Sequence, residues 1–206
     1  MMTAIPALGA NPQGRDVTYW MDEDRRRQPI LVGTTIVCVR NEHAVALGGD
    51  GQITMGDMVV KTAARKVRRI AEGRVLVGFA GSTADAMTLY SKLEKKLKEH
   101  QHQLMKAAVE LAREWRTDRY LRRLEAMLIA TDLDTTLLLS GTGDVIQPDD
   151  GVVAIGSGSG YALGSARSLQ RHTAMSPREI CEASLMVASE LCVYTSPHLT
   201  IEELHR

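Results

Sequence analysis

The 206-residue chain is poor in cysteine: Cys38, Cys181 and Cys192 are an odd number with no C-x-x-C spacing. That argues against a disulfide scaffold or a thiolate zinc framework, and fits reduced thiols, buried as small hydrophobes, in a cytosol-like compartment. Excess charge is lacking too, since 25 Lys and Arg balance 25 Asp and Glu. Nothing therefore points to a nucleic-acid or anionic-membrane partner. No apolar run approaches the ~20 residues of a membrane span. There is no G-x-x-x-x-G-K-[ST] loop, and the glycine-serine run Gly156–Gly160 has no lysine to cradle a phosphate. What is present is a chain of 44% hydrophobic residues, long enough for one domain with a substantial core.

Residues 1–33 read differently from the rest. They hold three of the six prolines and the mixed-charge cluster Asp22-Glu23-Asp24-Arg25-Arg26-Arg27, and they keep neither period for long. No apolar stretch follows a basic start, so this is not a secretory signal, and its acidic residues argue against a mitochondrial transit peptide. Two readings stay open, a disordered leader and a removable propeptide, and Met21 offers an alternative start.

From Thr34 the pattern is dense and undivided. Thr34–Arg40 and His43–Leu47 predict an antiparallel pair around Asn41-Glu42, and Gly48-Gly49-Asp50-Gly51 predicts a tight bend. Lys66–Ile70 and Arg74–Phe79 predict a second pair, turning at Glu72-Gly73. Ser82-Thr83-Ala84-Asp85 has the form of a helix start, with Ala86, Tyr90, Leu93 and Leu97 on one stripe. A further helix from Leu104 aligns Ala107, Ala108, Leu111 and Trp115. The second half repeats the order: strands at Met127–Thr131, Thr136–Ser140 and Val152–Ile155, then a flexible Gly156–Gly160 junction and a helix over Tyr161–Leu169. Ser176-Pro177-Arg178-Glu179 opens the last helix, which is expected to turn Ile180, Ala183, Val187 and Leu191 inward. Strands, helix pair, strands, helix pair is the order of two sheets packed face to face with helices outside.

The chemistry starts at Gly33-Thr34-Thr35. An N-terminal threonine supplies both a nucleophilic hydroxyl and, in its free α-amine of pKa near 7.7–8.0, the base that activates it. Inside a longer chain that amine is an amide, so this reading demands cleavage of the Gly33–Thr34 bond; the plainer reading is a β-rich buried strand. Such a threonine needs a nearby cation to keep its amine a free base, and a buried lysine needs a carboxylate. Thr34, Asp50 and Lys66, read as lying on the first three adjacent strands, supply that set.

The segments Thr34-Thr35-Ile36-Val37, Gly49-Asp50-Gly51-Gln52, Ala64–Arg69 and Gly78–Asp85 resemble the HslV family, peptidase subunits of bacterial two-component proteases and relatives of proteasome β subunits. The likeness continues through Ala107–Ala112, Trp115–Leu121, Gly143-Asp144-Val145, Ala154–Gly158 and Thr200–Leu204. It implies an α+β fold, the four-layer αββα sandwich of N-terminal nucleophile hydrolases, over residues 34–206 as a single domain. It implies Thr34 as nucleophile, Lys66 lowering the pKa of its amine, Asp50 fixing the lysine and Ser157 bonding near the amine. The N–H of Gly78 would stabilise the oxyanion, its missing side chain leaving room for substrate. A monovalent cation, Na+, would sit on the carbonyls of Ser189, Cys192 and Thr195. The family works in the cytoplasm as two stacked hexameric rings, a homo-dodecamer, fed with unfolded polypeptides by a hexameric AAA+ ATPase.

Two departures stand beside the expected site: Ser159, where the family usually has glycine, and Ser189, where glycine or alanine is common. The segment Trp115–Arg123 reads as a solvated helix or as a subunit contact. Two other functions fit the same residues. One is an amidase for small molecules; the other is a non-catalytic ring subunit whose leader is never removed.

Overall fold

The computed structural model describes residues 31–33, 35–124 and 126–206. Thr34 and the segment 1–30 lie outside the described residues. In chain order the elements are β1 (Leu31–Gly33), β2 (Thr35–Arg40), β3 (Ala44–Asp50), β4 (Ile53–Met55), β5 (Met58–Lys61), β6 (Val67–Ile70) and β7 (Val75–Ser82). Then come α1 (Thr83–Glu99), α2 (Leu104–Thr117), β8 (Ala126–Thr131), β9 (Thr136–Ser140), β10 (Val145–Ile146), β11 (Val152–Gly156), α3 (Ser159–His172), α4 (Pro177–Leu191) and β12 (Leu199–His205).

The strands form two antiparallel sheets. The larger has the order β10-β9-β8-β7-β1-β4-β5, with β6 pairing along the first half of β7. The smaller has the order β11-β2-β3-β12. Three apolar clusters show how the layers stack. In one, Leu89, Leu93, Leu111 and Trp115 of α1 and α2 pack on Val77, Phe79, Leu128 and Leu137 of the larger sheet. In the second, Ile36, Cys38 and Leu47 of the smaller sheet meet Val67, Leu76 and Ile129 of the larger. In the third, Val37, Val39 and Ala46 face Ala162, Ala166, Ile180 and Leu185 of α3 and α4. The successive side chains Ile36, Val37, Cys38 and Val39 thus serve opposite faces in turn, so β2 is buried on both sides and reads as a continuous apolar run. This is the helix–sheet–sheet–helix sandwich the sequence predicts.

Local chemistry sets the helix ends. The Ser82 hydroxyl accepts from Asp85 N–H at 3.5 Å, opening α1. Ser176 and Glu179 complete a reciprocal capping box at α4, with Pro177 in the first turn. Glycines set the layer spacing. The Gly48-Gly49-Asp50 stretch, expected as a bend, continues β3 in extended form. A Cβ on Gly48 would come within 2.5 Å of the Cys181 sulfur, and one on Gly49 within 2.4 Å of Ile36. Those glycines let a helix and a sheet approach closely, and the chain bends only after Asp50.

Other expectations shift as well. The buried stripe of α4 is Ile180, Cys181, Ser184, Leu185 and Ala188, while Leu191 is 58% exposed. The segments β4, β5 and β12, for which no strand was expected, pair as strands, and Ser159 is the first residue of α3. The end of the leader, Leu31–Gly33, is a strand between β4 and β7. Substituting Ser176→Ala removes one half of the capping box. It should lower unfolding free energy by about 1 kcal/mol, seen as a lower urea midpoint at constant slope.

Candidate active site

The chain crosses from the larger sheet to the smaller one between Gly33, in β1, and Thr35, in β2. The polar residues predicted for the site gather around that crossing. Asp50, at the end of β3, is fully buried, and its Oδ1 accepts from Lys66 Nζ at 2.7 Å and from Thr35 N–H at 3.0 Å. Its Oδ2 accepts from Gln52 N–H at 2.8 Å and Ser196 N–H at 3.1 Å. Among the described residues the carboxylate is thus met by at least one ammonium and three amides, partners that make a buried charge tolerable.

Lys66 is 1% exposed and immediately precedes β6. It does not lie on a strand adjacent to β3, as the sequence reading had it. It stands on the larger sheet and reaches across to the smaller one. Burial pulls its ammonium below the ordinary lysine range, and the charge and hydrogen bond of Asp50 oppose that pull.

The other predicted residues distribute as follows. Ser157 is exposed in the turn between β11 and α3, beside the pair Gly156 and Thr35 of the β11–β2 ladder. Thr34, the predicted nucleophile, lies outside the described residues. Gly78 has a different task from the one expected. Phe79 N–H donates to the Lys66 carbonyl on one side of β7, so strand alternation turns the Gly78 N–H the other way, into the ladder with β8, where its partner is Ile129. A Cβ there would meet Ile36 at 2.8 Å, so the missing side chain makes room for the opposite sheet and not for a substrate. By the same alternation it is Gly81 whose N–H turns toward the Gly33 side of β7. Gly81 has φ +111°, a conformation natural to glycine. Sequence reasoning missed it because φ and strand parity are invisible in a glycine-rich string.

The expected cation ligands, Ser189, Cys192 and Thr195, lie at the last turn of α4 and just beyond it. Among the described residues no group of three His, Cys, Asp or Glu could hold a metal ion. Carbonyls at a helix C-terminus are the negative end of its dipole and lack intrahelical partners, so this donor set suits a hard monovalent cation. The Cys192 sulfur is not needed, and its carbonyl accepts from Thr195 N–H at 3.0 Å, closing the turn.

The family profile described as "Proteasome subunit" matches residues 30–204. The chain is 53% identical over 178 residues to the ATP-dependent protease subunit HslV of Chlorobium luteolum, covering 86% of this chain and 98% of that one. The chain belongs to the proteasome family, in its HslV branch. Among solved structures, the eukaryotic HslV of Trypanosoma brucei superposes with a TM-score of 0.81 at 47% identity, covering 84% of this chain and all of that one. A Thiobacillus denitrificans protein, BPH in complex with epoxomicin, superposes at 0.65 with 17% identity, covering 84% of this chain and 98% of that one, a likeness of fold alone. This HslV-family chain is thus a threonine-protease subunit of the N-terminal nucleophile hydrolase fold. Among its described residues no helix is long and apolar enough to cross a membrane.

Two variants test the geometry. Gly78→Ala should overpack the sheet interface and cost about 1–3 kcal/mol in urea unfolding. Combined with Ile36→Ala, the loss should be smaller than the sum of the two single losses. Lys66→Met leaves Asp50 buried without its cation and should destabilise the fold by about 3–5 kcal/mol by the same measurement. Stability unchanged in Lys66→Met would contradict the buried pair.

Proposed function

We propose that the chain becomes a protease when the Gly33–Thr34 bond is cut, and that Thr34 is then the nucleophile. Its hydroxyl oxygen attacks the substrate carbonyl while its own α-amine takes the proton. The tetrahedral intermediate collapses as that amine protonates the leaving nitrogen, and water hydrolyses the resulting ester. Lys66 holds the amine as a free base by placing a positive charge nearby, and Asp50 fixes Lys66. Ser157, on a turn held beside Thr35, bonds near the amine. For the oxyanion we propose the N–H of Gly81 in place of Gly78, since it faces the edge where the chain crosses between the sheets. The observation that carries this reading is the Asp50 carboxylate, which holds both the Lys66 ammonium and the Thr35 amide, one peptide unit from the proposed nucleophile.

The position of the leader supports the same reading. β1 runs antiparallel to both β4 and β7, with Gly33 opposite Ile53 and Gly81. Once freed of its link to Thr34, that strand leaves a slot in which an extended polypeptide can add between two strand edges, its scissile bond where Gly33–Thr34 had been. Such binding reads backbone more than side chains, as suits unfolded proteins of varied sequence.

Family membership supports the remainder of the reading. We propose a homo-dodecamer of two stacked hexameric rings and a partner HslU-type AAA+ hexamer that unfolds and delivers substrates. We propose Na+ on the carbonyls of Ser189, Cys192 and Thr195, and a cytoplasmic site of action, which suits three free buried thiols. Intact-mass measurement of the purified particle should show a chain beginning at Thr34. Thr34→Ala should keep its leader and its assembly and hydrolyse nothing, with or without the ATPase. An active particle that retains residues 1–33, or an active Thr34→Ala, would overturn the assignment. Full activity on small amides, unaffected by any ATPase, would favour a small-molecule amidase.

A further inference from the structure

Two groups from distant parts of the chain meet on the hydroxyl of a third residue. Thr35, fully buried in β2, places its Oγ1 2.7 Å from Thr195 Oγ1 and accepts from Gly158 N–H at 3.1 Å. Its own N–H donates to Asp50 at 3.0 Å. Thr195 is 4% exposed and follows α4, while Gly158 closes the turn that carries Ser157. The closeness is built into the backbone. A Cβ on Gly158 would lie 2.6 Å from Thr195 Oγ1 and 2.7 Å from Thr35 Oγ1, so only glycine permits the three to converge.

From this convergence we infer that Thr35 and Thr195 are positioning residues of the protease, a pair of hydroxyls that locks the Ser157 turn and the end of α4 onto the residue following the nucleophile. The inference rests on Thr34 being that nucleophile. A hydroxyl is required at both positions: one oxygen must accept from the Gly158 amide and still exchange a hydrogen bond with its neighbour, which a methyl cannot do. The β-branch of threonine adds a stiff χ1 that holds the oxygen in place. The pair acts through Thr34 and Ser157, since both of its side chains are buried in this structure. Its effect is to fix where the freed amine sits relative to Lys66, and hence both the approach of the nucleophile and the pH at which its amine becomes a base.

The test is Thr35→Val, which keeps the shape and removes the oxygen. In correctly cleaved, assembled protein, kcat on a fluorogenic peptide should fall about 10- to 100-fold, with KM changed less than about twofold. The acidic limb of the kcat/KM profile should move, since the amine shifts against Lys66. Thr35→Ser should restore most of the rate. Thr195→Val should reproduce the defect, and the double variant should be no worse than the more damaged single, as expected of one shared contact. Should Thr35→Val fail to fold, Thr195→Val reads the same hydrogen bond from the other side. A wild-type rate and pH limb in either folded valine variant would overturn the proposal, as would a Thr35→Ser as defective as the valine. Failure of the underlying reading looks different: wild-type protein would then hydrolyse the peptide equally well as Thr34→Ala.

Discussion

The buried ion pair between Asp50 and Lys66 is the constraint on which the rest of this structure depends. Its two partners belong to different sheets, so the contact fixes the registry of one layer on the other as well as the electrostatics of the site. Removing both charges from water is costly, and a single 2.7 Å contact does not by itself recover the loss. The carboxylate also accepts from the amides of Thr35, Gln52 and Ser196. Each of those amides comes from a different stretch of backbone, so satisfying one carboxylate gathers the start of β2, the bend after β3 and the loop before β12. The far end of β2 has its own clamp: Arg40 donates to the carbonyls of Asp132 and Leu133 and to the hydroxyls of Thr131 and Thr136. The smaller sheet is thus tied to the larger at both ends of one strand, with apolar side chains between.

Such a site can form only if layers approach closely, and glycine does that work at several levels. Gly48 admits Cys181 and Leu185 of α4, Gly49 and Gly78 admit Ile36 from either side, and Gly158 admits the two threonine hydroxyls. None of these needs a positive φ, and their conservation of space is a packing requirement. Gly81 and Gly156 are the other kind, with φ of +111° and +96°, and each lies where a strand turns toward the site.

The same distinction explains how much could be read from the sequence. Helix starts were legible, because a cap is local chemistry: Ser82 and Ser176 bond within their own first turn. Ile36, Val37, Cys38 and Val39 announced a buried strand, and the alternation of strand pairs and helix pairs gave the layers. Sheet membership was not legible. Nothing near Lys66 says that β6 joins the sheet opposite Asp50, since that depends on pairing with β7 and on long-range packing. β12 carries Glu202 and Glu203 and reads weakly as a strand, yet it pairs with β3 over its full length, tertiary context overriding propensity. Within the site, Asp50 and Lys66 were found by asking what a buried cation requires. Thr195 was singled out only for its carbonyl, and its hydroxyl contact with Thr35 escaped because that meeting spans 160 residues of chain and a threonine in a β-branched run looks like any other.

On the proposed mechanism, the leader strand links maturation to substrate access through one piece of topology. While Gly33 is joined to residue 34, the pairing of β1 with β4 and β7 is intramolecular and its effective concentration is high. Cutting that bond leaves a three-residue strand with no covalent hold on the sheet at that end. Few backbone hydrogen bonds of modest net value, about 0.5–1.5 kcal/mol each, then have to offset the full entropy of keeping a separate chain in place. The strand is disfavoured as soon as it is severed, and the edges of β4 and β7 it had satisfied are left seeking a partner. An edge of that kind is a hazard on an open protein, where it invites aggregation; inside the proposed ring chamber it would be a template for whatever extended chain is threaded in. On the proposed mechanism, one scission therefore creates the base, empties the slot and supplies the first reason for a substrate to enter it.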